Sequence, residues 1–329
     1  MKKPVFPVIL GQIVLDTVIR TNTIESMIEI QTGDSKLQVI GGPPSFTGTT
    51  GFILSQLYSW TKTPLVYAYS CRRVKDLLKS SKMFKSFMNN LKIQPNCTQF
   101  RLIYNEAESD RILYLQNPPM DFDPSKFNWE FNYSPVAIVG SVFHEFSQSS
   151  FFSFLRDRCS YIAFDPQGCF RQLSSDGKIR FDDWADHDIM DKIDCLKISE
   201  TEAKFLKLGN DKQSTIKNIL ETTISTVLLT RGVKGAILGV KIGNEDKIAL
   251  YNIPAYPCNV IDETGAGDIF LYTFVVHFCA YKNALDAVSF ATSVTSILIE
   301  QNRFEWHLTK NLIEERQKII RTQIKEIFS

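Results

Sequence analysis

The chain is short of the features that mark membrane proteins, nucleic-acid binders and metalloproteins. Its formal net charge is +1 over 329 residues, so no global field draws it to nucleic acid or to an anionic bilayer. The longest apolar run, residues 269–281, carries His277 and falls below the ~20 residues that a membrane-crossing helix needs. Histidine is scarce: His144, His187, His277 and His307 are the four present, and they lack metal-ligand spacing. Seven cysteines (Cys71, Cys97, Cys159, Cys169, Cys195, Cys258 and Cys279) are scattered without zinc or redox spacing. They read as reduced, mostly buried thiols of a cytoplasmic protein. The opening "MKKPVFPVILG" has two lysines and an apolar run, but Pro4, Pro7 and Asp16 break the pattern of a secretory leader, so it reads as a first strand. No G-x-x-x-x-G-K-[ST] loop occurs, which argues against the P-loop class. Internal repeats and low-complexity linkers are also missing.

What is present is alternation. Hydrophobic residues make up 44% and charged residues 22%, as in ordinary globular proteins with a sizeable core. The runs "PVFPVIL", "TPLVYAY", "PVAIVG", "YIAFD", "DCLKIS", "STVLLT" and "GAILGV" predict strands. Amphipathic stretches at residues 73–91 and 211–221 predict helices between them. This pattern predicts an α/β fold with a mostly parallel sheet, helices on both faces and ligands at the carboxyl ends of the strands. Two regions break it. Residues 17–30 are rich in β-branched side chains, and residues 98–116 read as a hairpin turning near "NEAESD". Together they predict a small second sheet inserted into the first. From Ala266 the chain reads as helical to its end, with "KNLIEERQKIIRTQIKEIF" as a final amphipathic helix.

The stretch "VIDETGAGDIF" concentrates the chemistry. Gly265, Ala266 and Gly267 expose backbone N–H groups at a helix start, where the helix dipole also favours an anion. A phosphate group suits such a place. Asp268, beside it, does not hold the anion, because like charges repel. It makes sense as a base for a hydroxyl that attacks phosphorus. The plain alternative is an acidic residue in a first helical turn after a flexible loop.

"DETGAGDIF" resembles the D-T-x-G-A-G-D-x-F signature of the PfkB/ribokinase family of carbohydrate kinases. The resemblance implies a ribokinase-like three-layer sandwich forming one kinase domain over residues 1–329, with lid strands inserted at about 17–31 and 98–116. It implies ATP and Mg2+ as cofactors, with a monovalent cation as a further option. It makes residues 265–267 the anion hole and Asp268 the base. Other family landmarks follow in order. "ILGQIVLDTVI" places Asp16 where the family binds substrate hydroxyls, a job a carboxylate does well for vicinal diols; a loop-capping role is the alternative. "GGPPSFTG" resembles the Gly-Gly substrate loop, with Gly41 and Gly42 allowing close approach. Phe46 stands where many members have an asparagine, to stack on a substrate ring or to pack in the core. "DCLKISETEAKFL" resembles the stretch with an N-x-x-E motif. Glu202 is then a magnesium residue acting through water, Ser199 replaces the asparagine, and Lys197 lies near the triphosphate. Ser199 and Glu202 also fit a capping box. "VLLTRGVKGAIL" makes Thr230, Arg231 and Gly232 nucleotide contacts.

Three features resemble the myo-inositol kinase-like branch: "GGPPSF", Ser199, and "FDPQGCFRQLSSDGKI" with its D-x-Q-x-x-x-R spacing. "SDRILYL" carries Asp110 and Arg111 on the hairpin. Arg111 there either reaches the substrate from the lid or forms a surface ion pair. The expected acceptor is a cyclitol such as myo-inositol, then a furanose sugar or nucleoside; a non-catalytic sugar sensor is the alternative from another class. The expected partners are small molecules only, with no nucleic acid and no membrane, in a monomer or a lid-mediated homodimer.

Overall fold

The computed structural model describes residues 4–21, 37–79, 84, 90–105, 110–129, 131, 133, 135–243 and 247–328, with backbone alone at 20–21, 104–105 and 110–111. Among these residues ten strands form the main sheet, in the order β16-β15-β14-β13-β12-β9-β8-β1-β4-β5. The parallel part holds β1 (Pro7–Gln12), β4 (Leu65–Ser70), β5 (Asn90–Ile93), β8 (Val136–Gly140), β9 (Tyr161–Asp165), β12 (Cys195–Ser199) and β13 (Thr226–Thr230). It continues antiparallel through β14 (Ala236–Ile242), β15 (Lys247–Ile253) and β16 (Lys325–Phe328). The predicted runs are the strands of this sheet. Both faces are covered, which is why the central strands are apolar on both sides.

One face carries α1 (Pro43–Leu57), α2 (Arg72–Lys79), α6 (Ala266–Tyr281), α7 (Ala284–Leu298) and α8 (Lys310–Gln323). The other carries α3 (Ser149–Arg156), α4 (His187–Met190) and α5 (Lys212–Leu220). Local signals set the helix ends. Asp211 caps α5 by accepting from the Ser214 N–H while Ser214 Oγ accepts from the Asp211 N–H. The apolar residues of α6 from Ile269 to His277 are all buried. The run that was too short for a membrane is therefore a core helix. No helix among the described residues is long and apolar enough to cross a membrane.

The second sheet is present. Its order is β3-β2-β6-β7, built from β2 (Val14–Thr21), β3 (Leu37–Gly41), β6 (Gln99–Asn105) and β7 (Asp110–Asn117). β6 and β7 form the predicted antiparallel hairpin, and β2 runs parallel to β6. The predicted strand residues 22–30 lie outside the described residues. A short hairpin of β10 (Arg171–Leu173) and β11 (Ile179–Phe181) completes the strands.

Four expectations need correction. The chain is not helical to its end: α8 stops at Gln323, Ile324 is extended, and β16 pairs antiparallel with β15, giving that edge of the sheet a partner. Of the helix expected over 73–91, α2 and Phe84 are helical, residues 80–83 and 85–89 lie outside the described residues, and Asn90 and Leu91 belong instead to β5. β3 and β15, for which no strand was expected, complete the two sheets. Finally, not all cysteines are thiols. Cys71 and Cys97 form a disulfide across a sequence separation of 26. Cys71 follows β4 and Cys97 precedes β6, and the crossover between the sheets brings the two loops together. The other five are free.

Candidate active site

The main sheet positions a row of unusual residues at its carboxyl ends. On the face toward α6, β8 carries Ile138 and then Gly140, β9 carries Ala163 and then Asp165, and β12 carries Cys195 and then Lys197. Strand alternation puts each pair on one side. The first of each pair is core; of the second, Asp165 and Lys197 line a cavity of about 270 Å³, and Gly140 packs against its wall at Pro43. Gly140 makes room there: a β-carbon on it would lie 2.4 Å from Pro43 at the start of α1, and 3.8 Å from Oδ1 of Asp268.

The amino end of α6 closes the floor. Gly265 is its N-cap, with φ 80°, a left-handed conformation that costs other residues energy. The turn directs the Ala266 N–H to the Glu263 carbonyl at 3.0 Å. The amides of Gly265, Gly267 and Asp268 make no hydrogen bond among the described residues. Of the three residues expected to form an anion cradle, Ala266 lines the cavity but its N–H is already used. Phe46 lies under this turn. It is 2% exposed and stacks at 5.4 Å on Phe304, so it acts as a core support for Gly265 while its edge lines the cavity. Arg303 braces the same place. Its Nε donates to Asp262 at 2.9 Å, its Nη1 to the Ile40 carbonyl at 3.2 Å, and its guanidinium sits 5.5 Å from the Phe46 ring.

Four ionisable side chains meet behind these amides. Lys197 Nζ donates to Asp165 Oδ2 at 2.7 Å, and both side chains are 5% exposed. Asp165 is itself fixed by the Gln167 N–H, 3.2 Å from Oδ1. Burial works against the Lys197 charge, but Asp165, Glu202 and Asp268 more than offset it and hold its pKa above the usual lysine value. Asp268, third residue of α6, has a pKa pushed up to about 7 by burial first and by the Asp165 charge second; Lys197 and Arg171 pull it the other way. Glu202 is buried behind Lys197. Its carboxylate accepts from the Ser199 N–H at 2.7 Å, and Ser199 Oγ accepts from the Glu202 N–H at 3.2 Å. The capping-box reading holds, and Glu202 does not line the cavity.

The small sheet forms the opposite wall with Val14, Asp16, Phe100, Leu102 and Leu113. Gly41 does not line the cavity; its missing side chain leaves room for Asp16, since a β-carbon would lie 2.4 Å from Oδ2. Gly42, at φ 86°, lines it and starts α1. Arg111 is the second residue of β7, but its side chain lies outside the described residues. Thr230 lines the cavity, whereas Arg231 turns away to hold the β13–β14 turn through the carbonyl oxygens of Lys234 and Ala236 and through Asn252 Oδ1. Gly232, at φ 56°, sits in that turn in open space.

The predicted list omitted Asp165, Gln167, Arg171, Glu263 and Thr264, all of which line the cavity. Arg171 donates to the Val142 carbonyl at 2.8 Å and to Gln167 Oε1 at 2.9 Å, and its charge faces the Phe100 ring at 5.2 Å. Three of these residues stood in "FDPQGCFR", whose D-x-Q-x-x-x-R spacing was the available signal.

A mostly parallel sheet between helical layers, an inserted four-stranded sheet and an amide cradle beside one carboxylate define the ribokinase-like class of α/β proteins. Residues 159–303, less than half of the chain, match the model of the pfkB family carbohydrate kinases. A ribokinase of Staphylococcus aureus (strain COL) is 30% identical over 122 residues, which span 35% of this chain and 38% of that protein. Solved structures agree on the fold. Arabidopsis thaliana ribokinase, complexed with ribose and ATP, superposes with a TM-score of 0.70 at 13% identity, over 97% of this chain and 99% of its own. A pyrophosphate-dependent kinase of the ribokinase family, complexed with a pyrophosphate analog and myo-inositol, gives 0.70 at 19% identity, over 94% and 100%.

Proposed function

We propose that the chain is a kinase that moves the γ-phosphoryl group of ATP to a hydroxyl of a small polyol. One observation carries the reading: a carboxyl group with a pKa near 7 stands in the first turn of α6, beside amides that lack partners among the described residues. Asp268 accepts the proton as the hydroxyl oxygen attacks phosphorus and the bond to the departing ADP breaks. A base poised near neutral pH is half ionised there and still basic enough to work. The amides of Gly265, Gly267 and Asp268, with Lys197 and Arg171, face the charge that develops on the phosphoryl oxygens. The small sheet serves as the lid, and its apolar wall excludes water from the reaction.

Magnesium prefers oxygen ligands and keeps several waters. Asp165 is committed to Lys197, and Glu202 is turned inward on Ser199. The donor phosphates and water would supply most ligands, and the ion would neutralise phosphate charge; Glu202 would have to turn from Ser199 toward the cavity to act through water.

The preferred acceptor is a cyclitol such as myo-inositol. Its support is the likeness to the kinase complexed with myo-inositol, the placement of Asp16 in the wall, and a cavity at the small end for ligand sites. A furanose sugar is the next candidate. The test is a transfer assay with ATP and pyrophosphate as donors against inositol, ribose, fructose and nucleosides. Asp268→Asn should lower kcat at least about 1,000-fold while ATP affinity stays within about threefold. Normal turnover by that variant would overturn the assignment of the base. Acceptor binding without any turnover by the unaltered protein would favour the sensor.

A further inference from the structure

The buried Lys197–Asp165 pair asks for an explanation beyond stability. Burying two charges costs several kcal/mol of solvation that their attraction does little more than offset, and apolar residues of similar size often serve stability as well. The neighbours one step earlier on β9 and β12, Ala163 and Cys195, are part of the apolar core. The pair stands only at the cavity, at the last residue of β9 and two residues before the end of β12.

Its position relative to α6 is specific. A β-carbon on Gly267 would lie 2.8 Å from Lys197 Nζ, so the ammonium group sits directly against the helix amino end. Two positive poles are thus held together: the ammonium and the exposed N–H end of the helix. Like charges, they repel each other. Asp165, 2.7 Å away on the neighbouring strand, offsets that repulsion, and its own geometry is fixed by the Gln167 N–H. Lys197 has three N–H donors, of which Asp165 takes one among the described residues.

We propose that Asp165 is a positioning residue: through Lys197 it fixes the ammonium group against the amides of Gly265, Gly267 and Asp268, where the transferred phosphoryl group is held. The proposal rests on the kinase reading above and adds a residue to its machinery. Asp165 touches Lys197 and not the phosphoryl group. Without it the ammonium loses the charge that keeps it protonated in a buried site, and it loses the anchor that aims it.

The test is a double-mutant cycle on the full chain with Asp165→Asn, Lys197→Met and both together. Asp165→Asn should lower kcat about 30-fold and leave acceptor KM within about twofold. Lys197→Met should lower kcat about 100-fold, and the double variant should match Lys197→Met within about twofold. Asp165→Glu, which restores the charge, should recover part of the loss. Multiplying losses in the double variant would overturn the proposal. So would an acceptor KM raised tenfold in Asp165→Asn with kcat intact, because Asp165 would then be a direct acceptor ligand. Should Asp165→Asn not fold, the double variant leaves no charge unpaired, and its comparison with Lys197→Met decides alone. Should the unaltered protein transfer no phosphoryl group, the kinase reading fails, and calorimetry with pyrophosphate decides the role of Asp165. Equal losses of affinity in the two single variants uphold it, and unaltered affinity in Asp165→Asn overturns it.

Discussion

Gly265 and Phe46 occupy each other's space: a β-carbon on Gly265 would lie 2.3 Å from Cγ of the Phe46 ring. The left-handed turn that frees the cradle amides is therefore built on an aromatic ring from α1. Gly265→Ala should cost about 2–4 kcal/mol through backbone strain and this collision, with kcat reduced at least about tenfold. Adding Phe46→Leu should relieve the collision but not the strain. Urea denaturation of the three variants separates the two contributions.

The raised pKa of Asp268 predicts two pH effects of opposite benefit. If Asp268 is the base, kcat/KM should rise with pH along a limb centred near pH 7. Stability should move the other way. A carboxyl whose folded pKa lies above its unfolded value of 3.8 binds its proton more tightly when folded, so stability falls as pH rises from about 4 to about 7. Asp268→Asn should then raise Tm by about 2–5 °C at pH 8.5 and by less than about 1 °C at pH 4. An equal effect at both pH values would contradict the shift.

Arg303 offers the reverse case. Burial pushes the Asp262 pKa up, but the bonds from Arg303 and Thr264 outweigh it and hold the pKa below its usual value. A carboxylate of this kind stabilises the fold above its unfolded pKa, and the contribution disappears as pH falls through the folded one. Arg303→Met should cost about 2–3 kcal/mol at pH 7 and less at pH 3, below the unfolded pKa of 3.8. Guanidinium titrations at the two pH values measure the difference.

The disulfide predicts a count and a stability change. Alkylation of the unfolded, unreduced chain should modify five cysteines, and seven after reduction. Closing a loop across a separation of 26 residues constrains the unfolded chain by about 3 kcal/mol. Reduction, or Cys71→Ser with Cys97→Ser, should lower the urea midpoint accordingly.

Much of this was legible in the sequence where partners are close along the chain. Gly265 next to an acidic first turn, and Ser199 three residues before Glu202, are local patterns with one sensible geometry each. The parallel strands were legible because burial on both faces makes them uniformly apolar. The Lys197–Asp165 pair was not, because its members stand 32 residues apart and meet only through the order of β9 and β12. Cys71 and Cys97 escaped for the same reason. Arg303 reaches the Ile40 carbonyl across 263 residues. β16 escaped for a different reason, since four residues at the end of an amphipathic pattern continue its helical period until an open sheet edge captures them.

The backbone passes from the large sheet to the small one across Ile13 alone, since β1 ends at Gln12 and β2 starts at Val14. Ile13 donates to the Tyr69 carbonyl, Leu15 donates to the Thr98 carbonyl, and the Cys71–Cys97 bond lies beside both. A tilt of the small sheet about Ile13 would act as a lever. Asp16 lies three residues out along β2; Leu113 lies across from Val18 and two strands over, roughly twice as far. Any tilt of the sheet carries the apolar wall about twice the distance it carries the carboxylate.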